Sequence, residues 1–178
     1  LFGEDFLVAP IYQDSLRNTV HIPRGRWRYF FDDSEVFEGP KTIERDFPLD
    51  EYPVYVRDGA IIPMRISRDY TGIGDKDWEG LLTFNIFPSG RSTFEVHHPE
   101  GGDSTRVTVE EGATLRIQIE GAPVAHILRV LLAERPARVL RGETELAEGS
   151  DWEYRSERKR LILRSKGEFT GRYAIERN

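Results

Sequence analysis

Cysteine is absent from this 178-residue chain. Disulfides, thiolate nucleophiles and Cys-ligated zinc are therefore excluded. No apolar run approaches the roughly 18 residues that a membrane-crossing helix needs. No basic, then apolar, then small-residue leader opens the chain, so no secretion signal is visible. Positive charge is also in short supply, because the net charge is -6. A nucleic-acid groove needs a basic face, so no nucleic-acid partner is expected, and no membrane partner either. Gly-x-Ser-x-Gly is missing, which removes the nucleophile elbow. Gly72-Ile73-Gly74 lacks both the downstream Gly and the Lys with Ser or Thr of a phosphate loop.

What is present is unevenly spread. Residues 1–90 hold 16 acidic and 10 basic side chains, against 15 of each in residues 91–178. Of the 20 aromatic residues, 15 lie before position 91, as do 7 of the 10 prolines. Such a shift predicts two domains with different cores, 1–90 and 91–178.

The dominant hydrophobic period is two. Val20–Ile22 and Arg26–Phe31 read as strands around a tight Pro23-Arg24-Gly25 hairpin turn. Val54–Arg57 and Ala60–Ile62 read as a second hairpin around Asp58-Gly59. Leu81–Phe87 and Ser92–His97 read as a third, around Pro88-Ser89-Gly90. Beyond them, Ser104–Val109 and Thr114–Ile119 alternate about Glu110-Glu111-Gly112, placing Leu115, Ile117 and Ile119 on one buried face. Further strands are expected at 127–132, 138–141, 152–154, 160–164 and 173–176. No window of about a dozen residues carries a helical period. Short strands with Gly and Pro turns predict an all-β fold of two small antiparallel β-sandwich domains in tandem.

Candidate chemistry is sparse. Asp32-Asp33-Ser34-Glu35 and Asp75-Lys76-Asp77 lack the full oxygen-ligand pattern of a calcium loop and read as solvated turns. His97 and His98 are adjacent on a strand, so they point to opposite faces and do not share a metal; His21 and His126 are distant in sequence. Arg155, Arg158, Lys159, Arg160 and Arg164 are interleaved with Glu153 and Glu157, as on a charged hairpin face. That face raises the alternative of an oligomerisation surface. Trp27, Tyr29, Tyr52 and Tyr55 fit either a sugar-stacking platform, hence a carbohydrate-binding module, or a core, and the core is preferred.

Three segments then carry a family resemblance. Leu1-Phe2-Gly3-Glu4-Asp5-Phe6-Leu7-Val8-Ala9-Pro10-Ile11 resembles the segment that leaves the catalytic barrel in glycoside hydrolase family 31, the α-glucosidase and α-xylosidase family. Val20-His21-Ile22-Pro23-Arg24-Gly25-Arg26-Trp27-Arg28-Tyr29-Phe30 is similar to that family's next signature, Pro-x-Gly-x-Trp followed by an aromatic. Phe47 to Met64 resembles the segment ending in Arg-x-Gly-x-Ile-Ile-Pro. Leu81–Pro88 and Ser92–Val96 resemble the strands that open the distal domain. There the family's Tyr-Glu-Asp-Asp-Gly is replaced by His97-His98-Pro99-Glu100-Gly101-Gly102-Asp103.

The resemblance implies the proximal and distal C-terminal β-sandwiches of a retaining α-glycosidase, with residues 1–12 as the exit from the barrel and that barrel as partner. Leu1 is then an interior residue of a longer chain. Both catalytic Asp residues of the family lie upstream, so no catalytic residue, cofactor-binding residue or metal ligand is assigned here, and no cofactor is expected. Carbohydrate and a second copy of the chain are the other partners considered. The acidic, Cys-free composition favours a bacterial cytoplasm.

Overall fold

A computed structural model describes residues 1, 3–12, 15–66, 78, 81–99, 101–165 and 170–177. The chain is all-β, built from antiparallel sheets with one parallel pairing, and the described residues contain no α-helix. It divides into two compact units, Leu1–Ala60 and Ile61–Asn178.

The first unit is one four-stranded sheet. It comprises β1 (Phe6–Val8), β2 (Arg17–Tyr29), β3 (Val36–Asp46) and β4 (Val54–Arg57), in the order β1-β4-β2-β3. The expected turn at Pro23-Arg24-Gly25 is not a hairpin. β2 runs through it, and the register shifts between Ile22 and Gly25 against β3. Two β2 residues, Pro23 and Arg24, stand opposite one β3 residue, Pro40, which makes a bulge. A bulge tolerates proline because the ladder is already interrupted there. Gly25 adopts φ 119 at this point. A Cβ on the facing Gly39 would lie 1.9 Å from the Pro23 carbonyl oxygen, so glycine is obligatory there.

The bulge folds the β2–β3 hairpin over on itself. Arg45, near the end of β3, forms an ion pair at 2.6 Å with Glu35, which precedes its start. Ten residues of straight strand would hold them about 33 Å apart. Phe47 likewise packs on Tyr29, with centroids 6.0 Å apart. One sheet thus supplies two facing layers around Leu7, Val20, Ile22, Trp27, Tyr29, Phe47 and Tyr55.

Asp58-Gly59 is a turn, with Gly59 at φ 97 and the Ala60 amide bonded to the Arg57 carbonyl. It does not close the expected hairpin. β4 pairs with β1 and β2, whereas β5 (Ile61–Arg65) pairs with β6 (Leu82–Ile86) in another sheet.

The second unit is a sandwich of two sheets. One has the order β13-β14-β10-β6-β5, with β10 (His126–Leu131), β13 (Trp152–Arg155) and β14 (Arg160–Arg164). The other has the order β12-β11-β15-β9-β8-β7. Its strands are β7 (Arg91–His97), β8 (Ser104–Glu110), β9 (Thr114–Gly121), β11 (Arg138–Arg141), β12 (Thr144–Glu145) and β15 (Gly171–Glu176). β8 and β9 form the expected hairpin, and Leu115, Ile117 and Ile119 are buried on one face. β6 and β7 are not a hairpin. β6 already has β5 and β10 as neighbours, so Pro88-Ser89-Gly90 carries the chain across to the other sheet.

The composition change near residue 90 therefore coincides with a sheet crossing inside the second unit. Phe84 and Ile86 before it, and Val107 and Ile117 after it, share one core. β10 and β14 are buried on both faces, which explains why apolar residues occupy successive positions in them, with Arg129 buried among those of β10.

Candidate functional site

β2 alternates its side chains, so Trp27 and Tyr29 face the core while Arg26 and Arg28 take the opposite face. The Asp58 carboxylate, only 7% exposed, sits among those arginines. Arg28 grips it with Nε 2.5 Å from one oxygen and Nη2 3.2 Å from the other. Arg26 Nε lies 3.3 Å away, and Arg28 also donates to the Asp33 carbonyl. This is the most enclosed carboxylate–guanidinium cluster among the ion pairs of the described residues. Both oxygens are occupied by cations, an arrangement that pins the turn to β2. The sequence signal was available: two arginines two apart on a strand, with an Asp in the turn after the neighbouring strand.

The aromatic residues resolve as core. Trp27, Tyr29 and Tyr55 are buried, and only Tyr52 of the four candidates is substantially exposed. Trp27 donates its indole N–H to the Pro23 carbonyl across the bulge. Tyr29 stacks with Phe31, Phe47 and Tyr55, and Arg45 lies 4.5 Å above its ring. The Tyr29 hydroxyl donates to Glu51 at 2.5 Å. Burial, then this bond to a carboxylate, pushes the Tyr29 phenol well above its usual range. Burial pushes Tyr55 up to about 12. A buried ring cannot stack on a sugar, so the platform reading fails for Trp27, Tyr29 and Tyr55.

The remaining candidates are structural. Asp32 accepts from the Ser34 amide and hydroxyl, as in an Asx turn, and Glu35 is committed to Arg45. His98 bonds the Thr105 hydroxyl at 2.8 Å, while His97 is exposed on β7. Among the described residues no group of three or more His, Cys, Asp or Glu is placed to hold a metal. The basic run is not a uniform surface face. Arg160 is buried, with its guanidinium 4.7 Å from the Phe87 ring, and Arg155 bonds Glu153. Asp75-Lys76-Asp77, Gly72-Ile73-Gly74, Glu100 and Phe2 lie outside the described residues.

One end of the first unit has a different character. The Ala9 amide bonds the Pro53 carbonyl, Asn18 donates to the Ala9 carbonyl, and the Phe47 amide bonds the Leu16 carbonyl. These bonds lace residues 9–12, 15–18 and 47–53 together. From them Tyr12, Leu16, Leu49 and Tyr52 project into solvent, Leu49 at 92% and Tyr12 at 85% exposure. Leu49 occupies the tip of a Pro48–Glu51 turn closed by the Glu51 amide and the Pro48 carbonyl. Residues 1–12 were expected to be the exit from a barrel; the 48–53 turn was missed. Its signal is a Leu at a turn position flanked by two prolines, where polar residues are usual.

Fold and surface together define a class: an all-β, antiparallel-sheet region with one apolar exposed end. Residues 1–62 match the family model for the glycosyl hydrolase family 31 C-terminal domain. An isomaltosyltransferase from Sporosarcina globispora is 27% identical over 158 residues, covering 84% of this chain and 14% of its own length. An α-glucosidase from Saccharolobus solfataricus is 33% identical over 64 residues, covering 36% of this chain and 9% of its own. The cycloalternan-forming enzyme from Listeria monocytogenes, solved with a pentasaccharide substrate, shares the fold. Its TM-score is 0.85 at 23% identity, over 99% of this chain and 18% of that one. Residues 1–62 thus match the C-terminal domain of glycosyl hydrolase family 31, and the chain as a whole is similar to part of these larger proteins. It spans a small part of the length of each relative.

Proposed function

We propose that this chain is the non-catalytic C-terminal part of a retaining, α-glucosidase-like hydrolase of O-glycosyl bonds. A retaining glycosidase needs two carboxyl groups about 5 Å apart, one to attack the anomeric carbon and one to exchange protons. The observation that carries the reading is the state of Asp58. This well-enclosed carboxylate has both oxygens on the guanidinium groups of Arg26 and Arg28 and ties its turn to β2. Glu35 and Glu51 are likewise engaged, by Arg45 and Tyr29. These three carboxylates are taken up by contacts within the first unit.

The family match over residues 1–62 and the α-glucosidase name borne by one relative support the parent activity. The contribution of this chain is then structural. It supplies a rigid β scaffold alongside the domain that holds the nucleophile and the acid/base. The test uses the polypeptide that includes the region upstream of Leu1. Proton NMR of aryl α-glucoside hydrolysis should show the α anomer formed first. First-formed β anomer, or no hydrolysis of any aryl α-glycoside, contradicts the reading.

A further inference from the structure

Asp58-Gly59 is the single Asp-Gly dipeptide of the chain, and Asn-Gly does not occur. Aspartate before glycine is prone to cyclise, because no side chain shields the glycine nitrogen. We propose that Asp58-Gly59 is a latent site of isoaspartate formation, kept as ordinary aspartate by the grip of Arg28. The chemistry is independent of what the longer polypeptide hydrolyses.

In the reaction the Gly59 nitrogen attacks the Asp58 side-chain carbonyl carbon. A new N–C bond forms, the amide hydrogen and the hydroxyl of the protonated carboxyl leave as one water, and a succinimide results. Water then re-enters. Opening at the side-chain carbonyl restores aspartate, and opening at the main-chain carbonyl gives isoaspartate. No oxidant or reductant takes part.

Two features of the structure oppose the first step. The Ala60 amide bonds the Arg57 carbonyl, Gly59 takes φ 97 and Asp58 does not have a positive φ, which together define a type II turn. In that turn ψ of the first central residue is about +120°, and the following nitrogen points away from the side chain. The carboxylate is also tied down. Arg28 holds one oxygen at 2.5 Å and the other at 3.2 Å, and both bonds must break before the carboxyl can swing onto Gly59. Arg28 is the better brace of the two arginines. Its side chain is 14% exposed against 53% for Arg26, and its guanidinium is fixed a second time on the Asp33 carbonyl.

Isomerisation here would have a structural cost. It inserts a methylene into the main chain of a turn closed by a single bond, at the end of the first unit where β4 gives way to β5.

The test incubates the full 178-residue chain for weeks at neutral pH and body temperature. Isoaspartate at position 58 is quantified by electron-transfer fragmentation, which separates the isomers despite their equal mass. Circular dichroism checks that each chain stays folded. We expect the wild-type chain to isomerise at least tenfold more slowly than a peptide of residues 54–62, and Arg28→Ala to be at least tenfold faster than wild type. Should Arg28→Ala not fold, Arg28→Lys, which cannot grip both oxygens in the same way, takes its place. Val20→Ala weakens the same core without touching the Asp58 contacts and should stay near the wild-type rate. A difference below tenfold in either comparison, or Val20→Ala matching the Arg28 variant, would overturn the proposal.

Discussion

Glu35 and Arg45 are ten residues apart along a single strand-forming segment, yet their side chains form an ion pair at 2.6 Å. That contact requires β3 to turn back over itself, and the turning point is where Gly39 meets the Pro23–Gly25 bulge. The first unit obtains two layers from one sheet by this device.

Gly39→Ala should therefore destabilise the first unit by roughly 3 kcal/mol, since the new methyl group would overlap the Pro23 carbonyl and force the strands apart. Urea denaturation followed by tryptophan fluorescence, with Trp27 as reporter, reads this. A neutral substitution would show that the hairpin does not pass so closely.

Arg45→Ala removes a partly exposed ion pair and the guanidinium stacked on Tyr29 and Phe47. The ion pair alone is worth under about 1 kcal/mol, so most of an expected loss of about 1–2 kcal/mol comes from the stack. Arg45→Met, which keeps much of the stem, should recover part of that loss in the same denaturation experiment. Equal losses for both variants would assign the effect to charge instead.

Asp58→Asn leaves the mostly buried Arg28 guanidinium, and the half-exposed Arg26, facing a neutral amide. A loss of about 3 kcal/mol is expected, because removing one partner of a buried pair exposes the cost of the other. Calorimetric melting measures it. A loss under about 0.5 kcal/mol would mean the cluster is solvated.

The second unit should lose stability in mild acid. His126 is buried, with Nδ1 on the Val124 carbonyl and Nε2 3.3 Å from the Tyr173 hydroxyl. Because a carbonyl only accepts, Nδ1 carries the proton and Tyr173 donates to Nε2. Burial, the largest influence, lowers the His126 pKa from the ordinary 6.5. The unfolded chain then takes up a proton at higher pH than the folded one. Stability is complete above pH 6.5 and falls as pH drops below it. Melting temperature against pH should show this decline, and His126→Gln should flatten it. An unchanged decline in the variant would locate the effect elsewhere.

Much of this architecture was legible from the residues. Alternation at Leu115, Ile117 and Ile119 marked a buried face, and the successive apolar residues Val130, Leu131 and Leu132 fitted a buried strand. The breaks at 58–59 and 88–90 were located correctly in sequence but not in topology, and 23–25 is a bulge inside β2 and not a turn. Gly and Pro report that a ladder is interrupted; whether the next strand pairs locally depends on which partners are already occupied. β6, filled on both edges, could not accept β7, and Pro23-Arg24-Gly25 absorbed a bulge without ending β2. The exposed Leu49 left only the mark of a Leu between two prolines, which does not tell in sequence whether the side chain is buried or exposed.

The measurement closest to the central claim is release of p-nitrophenol from p-nitrophenyl α-glucoside and α-xyloside. It is made on this chain alone and on the polypeptide that includes the upstream region. The account predicts no release above buffer from the chain and sustained turnover from the longer polypeptide. Sustained release by the purified chain, abolished by replacing one of its own carboxylates, would contradict it.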